Sequence, residues 1–183
     1  MARCDGKHGD ALAAVHDLRV ERDGVALAGS LWMPGPRPKS VVVMHPGSGP
    51  SDRNNDVLFP PIRAALLDAG HAVASLDKRG VGESTGSLWT TSIEQQAADL
   101  VECAAAVSIR LRGVPIGAFG HSQGGWVVYE AAGTTSVFDF VVANSGPGVS
   151  PADQEHHALR RATDGHVDQA GALMLFDELV SRA

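Results

Sequence analysis

A serine flanked by glycines is the feature of the sequence most suggestive of chemistry. Residues 120–124 are Gly-His-Ser-Gln-Gly, the pattern G-x-S-x-G, in which a tight strand-to-helix turn exposes a serine hydroxyl beside the first amides of a helix. The apolar run 114–119 before it predicts a buried strand, and residues 126–132 after it predict a helix packed on that strand. This context favours Ser122 as a nucleophile over an ordinary Gly-Ser turn.

Acyl transfer to a serine places negative charge on the substrate carbonyl oxygen, and preorganised backbone amides stabilise that charge. The N–H of Gln123, at the start of the predicted helix, is one natural donor. A second donor is expected from the glycine-rich loop 45–50, which directly follows a predicted strand. The proline of this loop has no N–H, so the donor is one of Gly47, Ser48 and Gly49, of which we favour Ser48.

A dinucleotide-binding fingerprint is the alternative interpretation of the glycine-rich loop. Asp52 stands where the third glycine of that fingerprint belongs, and no phosphate-binding lysine follows at the spacing of a P-loop. The alternative is therefore disfavoured.

A third loop, Asp77–Ser84, also follows a predicted strand. The carboxyl ends of parallel strands meet at one edge of a sheet, where open α/β sheets bind ligands. We expect Asp77 and Arg79 to pair and hold this loop in a structural role.

His121 is interpreted as structural because it projects from the other side of the serine turn. The remaining histidines in this region and beyond lack metal-ligand spacing, which predicts no metal centre: His16, His45, His71, His156, His157 and His166.

Alternating strand and helix patterns around these loops predict an α/β fold with a doubly wound, mostly parallel sheet of about six strands. The expected strands are an antiparallel edge hairpin, 15–22 and 25–33, followed by 41–44, 71–76, 114–119 and 137–143. The expected helices are 57–69, 92–111, 126–132, Pro151–Thr163 and His166–Arg182. The last helix is strongly apolar, so it is expected to lie against another part of the protein.

The composition is that of an ordinary globular domain. The 183 residues are 44% hydrophobic and 20% charged, enough for one domain with a sizeable core. A net charge of −6 argues against a nucleic-acid or anionic-membrane surface, and no apolar run is long enough to span a bilayer. Cys4 and Cys103 have neither metal-ligand nor redox spacing, and the start lacks the apolar stretch of a signal peptide. A cytoplasmic protein is expected.

Three motifs in this order resemble the α/β-hydrolase family, and most closely its soluble esterase and acyl-peptidase-like branch. They are the glycine-rich loop within Val42–Arg53, the Asp-Lys-Arg-Gly loop Asp77–Ser84, and the serine turn Gly120–Gly125. The resemblance covers about residues 15–150, which it implies are a partial hydrolase core, with residues 151–183 the start of a helical lid.

The resemblance also implies roles for individual residues. Ser122 would be the nucleophile, and the N–H groups of Gln123 and Ser48 would form the oxyanion hole. The implied substrates are small carboxylic esters or related acyl compounds, and the implied chemistry uses no metal and no organic cofactor.

The chain departs from the family pattern after the sixth strand. The family places an acid and then a histidine on loops after later strands, whereas the only downstream candidates here lie in predicted helices, and none is assigned a role: Asp153, Asp164, Asp168, His156, His157 and His166. We therefore expect a C-terminally truncated serine hydrolase. The alternatives are a catalytically inactive hydrolase-fold protein that serves binding or regulation, and an enzyme whose missing groups come from a partner chain.

Without later strands, the apolar strand 137–143 would become an exposed sheet edge, and such edges promote association. We expect the isolated chain to self-associate through this edge and to turn over ester substrates feebly.

Overall fold

A computed structural model describes residues 14–181 of the chain. The strands are β1 (Ala14–Arg22), β2 (Val25–Met33), β3 (Val41–His45), β4 (Ala72–Leu76), β5 (Ile116–His121) and β6 (Phe140–Asn144). The helices are α1 (Phe59–Asp68), α2 (Ile93–Arg110), α3 (Gly124–Thr134), α4 (Pro151–Ala162) and α5 (Gln169–Val180), with a short 3₁₀ turn at Leu88–Thr90. None of the helices within 14–181 is both long enough and apolar enough to cross a bilayer.

The six strands of the described region form one sheet in the order β1-β2-β4-β3-β5-β6. β1 and β2 are an antiparallel hairpin, closed by Asp23 and Gly24 in left-handed conformations, and β2 runs antiparallel to β4. β4, β3, β5 and β6 are mutually parallel. The predicted α/β fold with an N-terminal edge hairpin is confirmed.

Both faces of the sheet are covered, which explains the continuous apolar runs of the central strands. Val41 and Val43 of β3 belong to a core shared with α2 and α3. Val42 and Met44, which point to the opposite face, pack in a second core with Phe59 of α1.

The prediction for the last strand was wrong in its bounds, whereas the expected exposed sheet edge is confirmed. Pairing begins only at Phe140, because both the backbone N–H and the carboxylate of Asp139 are bound to the backbone of Ile116 (2.7 and 2.8 Å). Val137 and Phe138 instead pack against the core from the preceding loop. β6 lies at the sheet edge with Phe140 39% and Val142 44% exposed.

The chain divides into a compact unit ending at Ser145 and a second beginning at Gly146. In the second unit, Ser150 caps α4 by accepting the N–H of Asp153 (3.1 Å). His156 of α4 packs on Phe176 of α5, with ring centroids 5.9 Å apart. α5 thus lies against α4, while three of its large apolar side chains are more than half exposed: Met174, Leu175 and Leu179.

Candidate active site

Ser122 lies on a sharp turn between β5 and α3. Its φ is +52°, in the left-handed region. Residues other than glycine adopt this region only at a cost of about 1–3 kcal/mol, and mainly at functional sites. Two backbone hydrogen bonds hold the turn: the Ser122 N–H donates to the carbonyl of Asn144 (3.0 Å), and the Gly125 N–H donates to the carbonyl of Ser122 (2.8 Å). The Ser122 side chain is partly exposed. A strained, firmly held and accessible serine is the geometry expected of a nucleophile elbow.

The glycines of the turn are required by close backbone contacts. A Cβ on Gly120 would lie 2.0 Å from the carbonyl oxygen of Gly124, and a Cβ on Gly124 would lie 2.6 Å from that of His45. Both distances are far inside van der Waals contact. The first turn of α3 is therefore pressed against β5 on one side and against the end of β3 on the other.

The glycine-rich loop lies beside the serine. β3 pairs with β5 so that His45 is opposite Gly120, which brings the residues after both strands to the same edge of the sheet. A Cβ on Gly47 would lie 3.3 Å from the Cβ of Ser122. In the described part of the chain, the N–H groups of Gln123 and Ser48 have no hydrogen-bond partner, so both are available to a ligand.

Lys78 anchors the glycine-rich loop, and sequence reasoning did not identify it. Its Nζ donates to the carbonyl of Gly47 and to that of Gly49 (3.3 Å), while the residue is only 5% exposed. Burial lowers the pKa of Lys78 to about 8. The only signal in the sequence is a lysine directly after a strand-ending aspartate, which does not show where its ammonium points.

His45 is a buried neutral histidine under the same loop. Its Nε2 lies 3.1 Å from the Oε1 of Gln96. Because an amide oxygen only accepts, Nε2 carries the proton. Burial, and then the positive charge of Lys78, lower the pKa of His45 to about 3 against the raising effect of the Gln96 bond. His45 is thus a satisfied polar group.

The depressed pKa of His45 predicts acid sensitivity. Unfolded His45 takes up a proton near pH 6.5, whereas the folded protein resists protonation until about pH 3. The unfolded state therefore binds more protons in this window, and the free energy of unfolding should fall as pH falls, by about 1 kcal/mol for each unit between pH 6 and 4. Urea denaturation at several pH values measures this slope. His45→Gln, which lacks a titrating ring, should show a shallower dependence, and an equal slope in both proteins would contradict the assignment.

The expected pairing of Asp77 with Arg79 was wrong. Asp77, whose side chain is 2% exposed, is bound instead by Arg53 through Nε (2.9 Å), Nη2 (2.6 Å) and the backbone N–H (2.7 Å). Burial opposes ionisation of Asp77, but the Arg53 hydrogen bonds and the Glu83 N–H outweigh it and lower its pKa. Arg79 forms two bonds of 2.7 Å with Asp99 of α2. These two ion pairs fix the third loop from two directions.

Several of the other candidates have polar partners within the structure. His121 contacts the side-chain oxygen of Asn144 through Nδ1 (3.1 Å), and His71 contacts Ser40 Oγ (2.8 Å). In the second unit, the Nε2 of His156 lies 3.7 Å from Asp177, and Asp153 takes part in the α4 cap. Within 14–181, no group of three or more His, Cys, Asp or Glu residues is placed to hold a metal. Cys103 is buried, which raises its thiol pKa to about 12, and Cys4 lies outside the described residues.

The family of the chain follows from a match to a protein-family model described as "Serine aminopeptidase, S33", which covers residues 36–170 and hence more than half of the sequence. The chain belongs to this α/β-hydrolase family. The match includes all three loops described above. A search of curated protein sequences gave no match.

Solved structures show the same fold. A Pyrococcus furiosus esterase aligns with a TM-score of 0.70 at 20% identity, over 90% of this chain and 62% of its own. A thermostable carboxyl esterase from Bacillus coagulans, in complex with glycerol, aligns with a TM-score of 0.65 at 20% identity, over 81% of this chain and 50% of its own. A dienelactone hydrolase from Anabaena variabilis aligns with a TM-score of 0.63 at 22% identity, over 73% of this chain and 64% of its own. The present chain thus spans about half to two thirds of the length of these proteins.

Proposed function

We propose that the chain carries the nucleophile and oxyanion part of a serine hydrolase site for small carboxylic esters or related acyl compounds. The observation that carries the proposal is Ser122, held at φ +52° with Gly47 of the neighbouring loop against its Cβ. Esterases among the solved structures of the same fold support the substrate class.

In the proposed reaction, Ser122 Oγ attacks the carbonyl carbon of the ester and loses its proton to a base. The electron pair of the C=O bond moves to the carbonyl oxygen, where the N–H groups of Gln123 and Ser48 would stabilise it. Collapse of the intermediate breaks the bond to the alcohol oxygen, which leaves with a proton, and water then hydrolyses the acyl-serine.

The base is not assigned. Among the described residues of the first unit, 14–145, no histidine or carboxylate forms a hydrogen bond with Ser122. A serine without a base reacts slowly. This observation favours the second candidate function, a hydrolase-fold protein without turnover that binds acyl ligands. We propose residues 15–150 as the partial hydrolase core and residues 151–183 as the start of a helical lid.

A fluorophosphonate probe tests Ser122 as a nucleophile, because attack of Ser122 Oγ on phosphorus with loss of fluoride needs no turnover, and ester hydrolysis measured in parallel separates the two functions. The expected result is a single adduct located on Ser122 by peptide mass spectrometry. Labelling should be lost in Ser122→Ala and retained in Ser145→Ala, a second serine with positive φ. No adduct at Ser122, or equal labelling of Ser122→Ala, would exclude the nucleophile.

Self-association through β6 is also proposed. This edge strand exposes Phe140 and Val142, which line an apolar groove together with Ile62, Leu66 and Phe119. A charge on an edge strand blocks edge-to-edge pairing. Val142→Lys should therefore shift the protein toward monomer in sedimentation velocity, whereas Val15→Lys on the opposite edge strand β1 should leave the distribution unchanged. A monomeric wild-type protein at micromolar concentration would contradict the proposal.

A further inference from the structure

Lys78 is a buried cation without a carboxylate partner in the described part of the chain. Asp77 and Asp99 line a cavity together with Lys78, and both carboxylates are already paired, Asp77 with Arg53 and Asp99 with Arg79. Its ammonium is satisfied instead by the backbone carbonyls of Gly47 and Gly49. A buried charge is costly unless it is well bonded, so the position of these two carbonyls is strongly determined by Lys78.

The hydrogen bond from Lys78 to the Gly47 carbonyl also fixes the direction of the Ser48 N–H. Every peptide bond in the described residues is trans, so the carbonyl of Gly47 and the N–H of Ser48, which share one peptide plane, point in opposite directions. With the carbonyl bound to Lys78, the Ser48 N–H points away from Lys78. The peptide after Gly49 ends in Pro50 and offers no N–H. Gly49 adopts φ +84°, which lets the loop turn both carbonyls toward the same cation.

We propose that Lys78 is a positioning residue that orients the Ser48 N–H for the oxyanion site. The inference rests on the proposed function, in which Ser48 is an oxyanion donor. Lys78 acts through the peptide of Gly47 and Ser48 and touches neither the substrate nor Ser122. Loss of its charge would weaken its hydrogen bonds to the two carbonyls and so loosen the glycine-rich loop, and would leave Ser122 in place.

The surroundings of Lys78 give this role a pH dependence. His45 is neutral above about pH 3. Against the effect of burial, the Arg53 hydrogen bonds lower the pKa of Asp77, and the Asp99 hydrogen bonds raise the pKa of Arg79. Lys78 is therefore the group of this cluster whose charge changes near pH 8. Its pKa is about 8 in the folded protein and near 10.4 when unfolded. Between these values the unfolded state binds more protons, so the Lys78 contribution to the free energy of unfolding rises with pH. The rate of reaction at Ser122 should fall over the same range. Because the rate falls while the free energy of unfolding rises, a positioning role of Lys78 can be told apart from an effect on stability.

Lys78→Met tests the proposal against Lys39→Met, a matched control in which a lysine also donates to a backbone carbonyl, that of Ala69 (2.8 Å). Hydrogen exchange by mass spectrometry would follow the peptide containing residues 45–53, and fluorophosphonate labelling would be timed from pH 6.5 to 9.5. We expect faster exchange of the loop and at least about tenfold slower labelling in Lys78→Met at pH 7, with neither change in Lys39→Met. The wild-type labelling rate, corrected for the profile of Lys78→Met, should fall with a midpoint near pH 8.

Unchanged loop exchange in a folded Lys78→Met would overturn the proposal, as would equal labelling rates in a protein whose Ser122 reacts. If Lys78→Met does not fold, the wild-type profile decides: a rate that keeps rising through pH 9.5 contradicts the role of the ammonium. If wild-type Ser122 does not react at all, the proposed function fails, and the exchange measurement alone decides whether Lys78 orders the loop.

Discussion

Replacing Asp77 by alanine should lower the free energy of unfolding by about 3–5 kcal/mol, the cost of leaving a buried charge without its partner. The Asp77 carboxylate accepts four hydrogen bonds, three from Arg53 and one from the Glu83 N–H. Removal leaves a guanidinium whose side chain is only 12% exposed with the exposed Glu83 as its ionic partner. Urea denaturation measures the loss.

The matched control for Asp77→Ala is Glu83→Gln. Glu83 binds the same Arg53 nitrogen at the same distance (2.6 Å), but its side chain is 61% exposed, and exposed ion pairs contribute little. The unfolding midpoint of the Glu83→Gln variant should therefore stay close to that of the wild type. An Asp77→Ala loss below about 1 kcal/mol would show that Asp77 is not the anchor of the third loop.

Gly120→Ala should destabilise the serine turn by about 3 kcal/mol or more, at the upper end of overpacking effects. The added Cβ would meet only backbone: the Gly124 carbonyl oxygen at 2.0 Å, its carbon at 2.4 Å and the Gly125 nitrogen at 2.9 Å. Backbone of a helix start cannot rotate away as a side chain can, so the first turn of α3 must shift. Thermal unfolding and soluble yield measure the effect.

Gly133→Ala supplies the control within the same helix. No atom lies within 4 Å of a Cβ at this position, and alanine is the better helix former by up to about 1 kcal/mol. We therefore expect the same chemical change to stabilise the protein at 133 and to destabilise it at 120. Similar effects at both positions would mean that the close contact of β5 and α3 is absent.

Strands and helices of the first unit were predictable because each burial pattern is local to its segment. β3 is buried at every position and apolar from Val41 to Met44 because both faces are covered, and α2 begins where Ser92 and Gln95 form a capping box. The serine turn and the glycine-rich loop lie side by side because parallel pairing of β3 and β5 leaves no other arrangement. These features depend on sequence pattern and topology alone.

Pairings between distant segments were not predictable. Asp77 binds Arg53, 24 residues earlier, and Arg79 binds Asp99, 20 residues later. The sequence offers Asp77 and Arg79 as neighbours and does not show which remote charge each faces. The role of Lys78 was not predictable either, because it depends on the direction of its ammonium toward the carbonyls of Gly47 and Gly49. The start of β6 was missed because the apolar run 137–143 does not show where pairing with β5 begins.

A crystal structure of the protein after reaction with a fluorophosphonate tests the central claim most directly, since the phosphonyl group stands in for the tetrahedral intermediate. We predict phosphorus bonded to Ser122 Oγ, with the phosphoryl oxygen about 3 Å from the backbone nitrogens of both Gln123 and Ser48. An adduct whose phosphoryl oxygen faces solvent, or approaches neither nitrogen, would contradict the account.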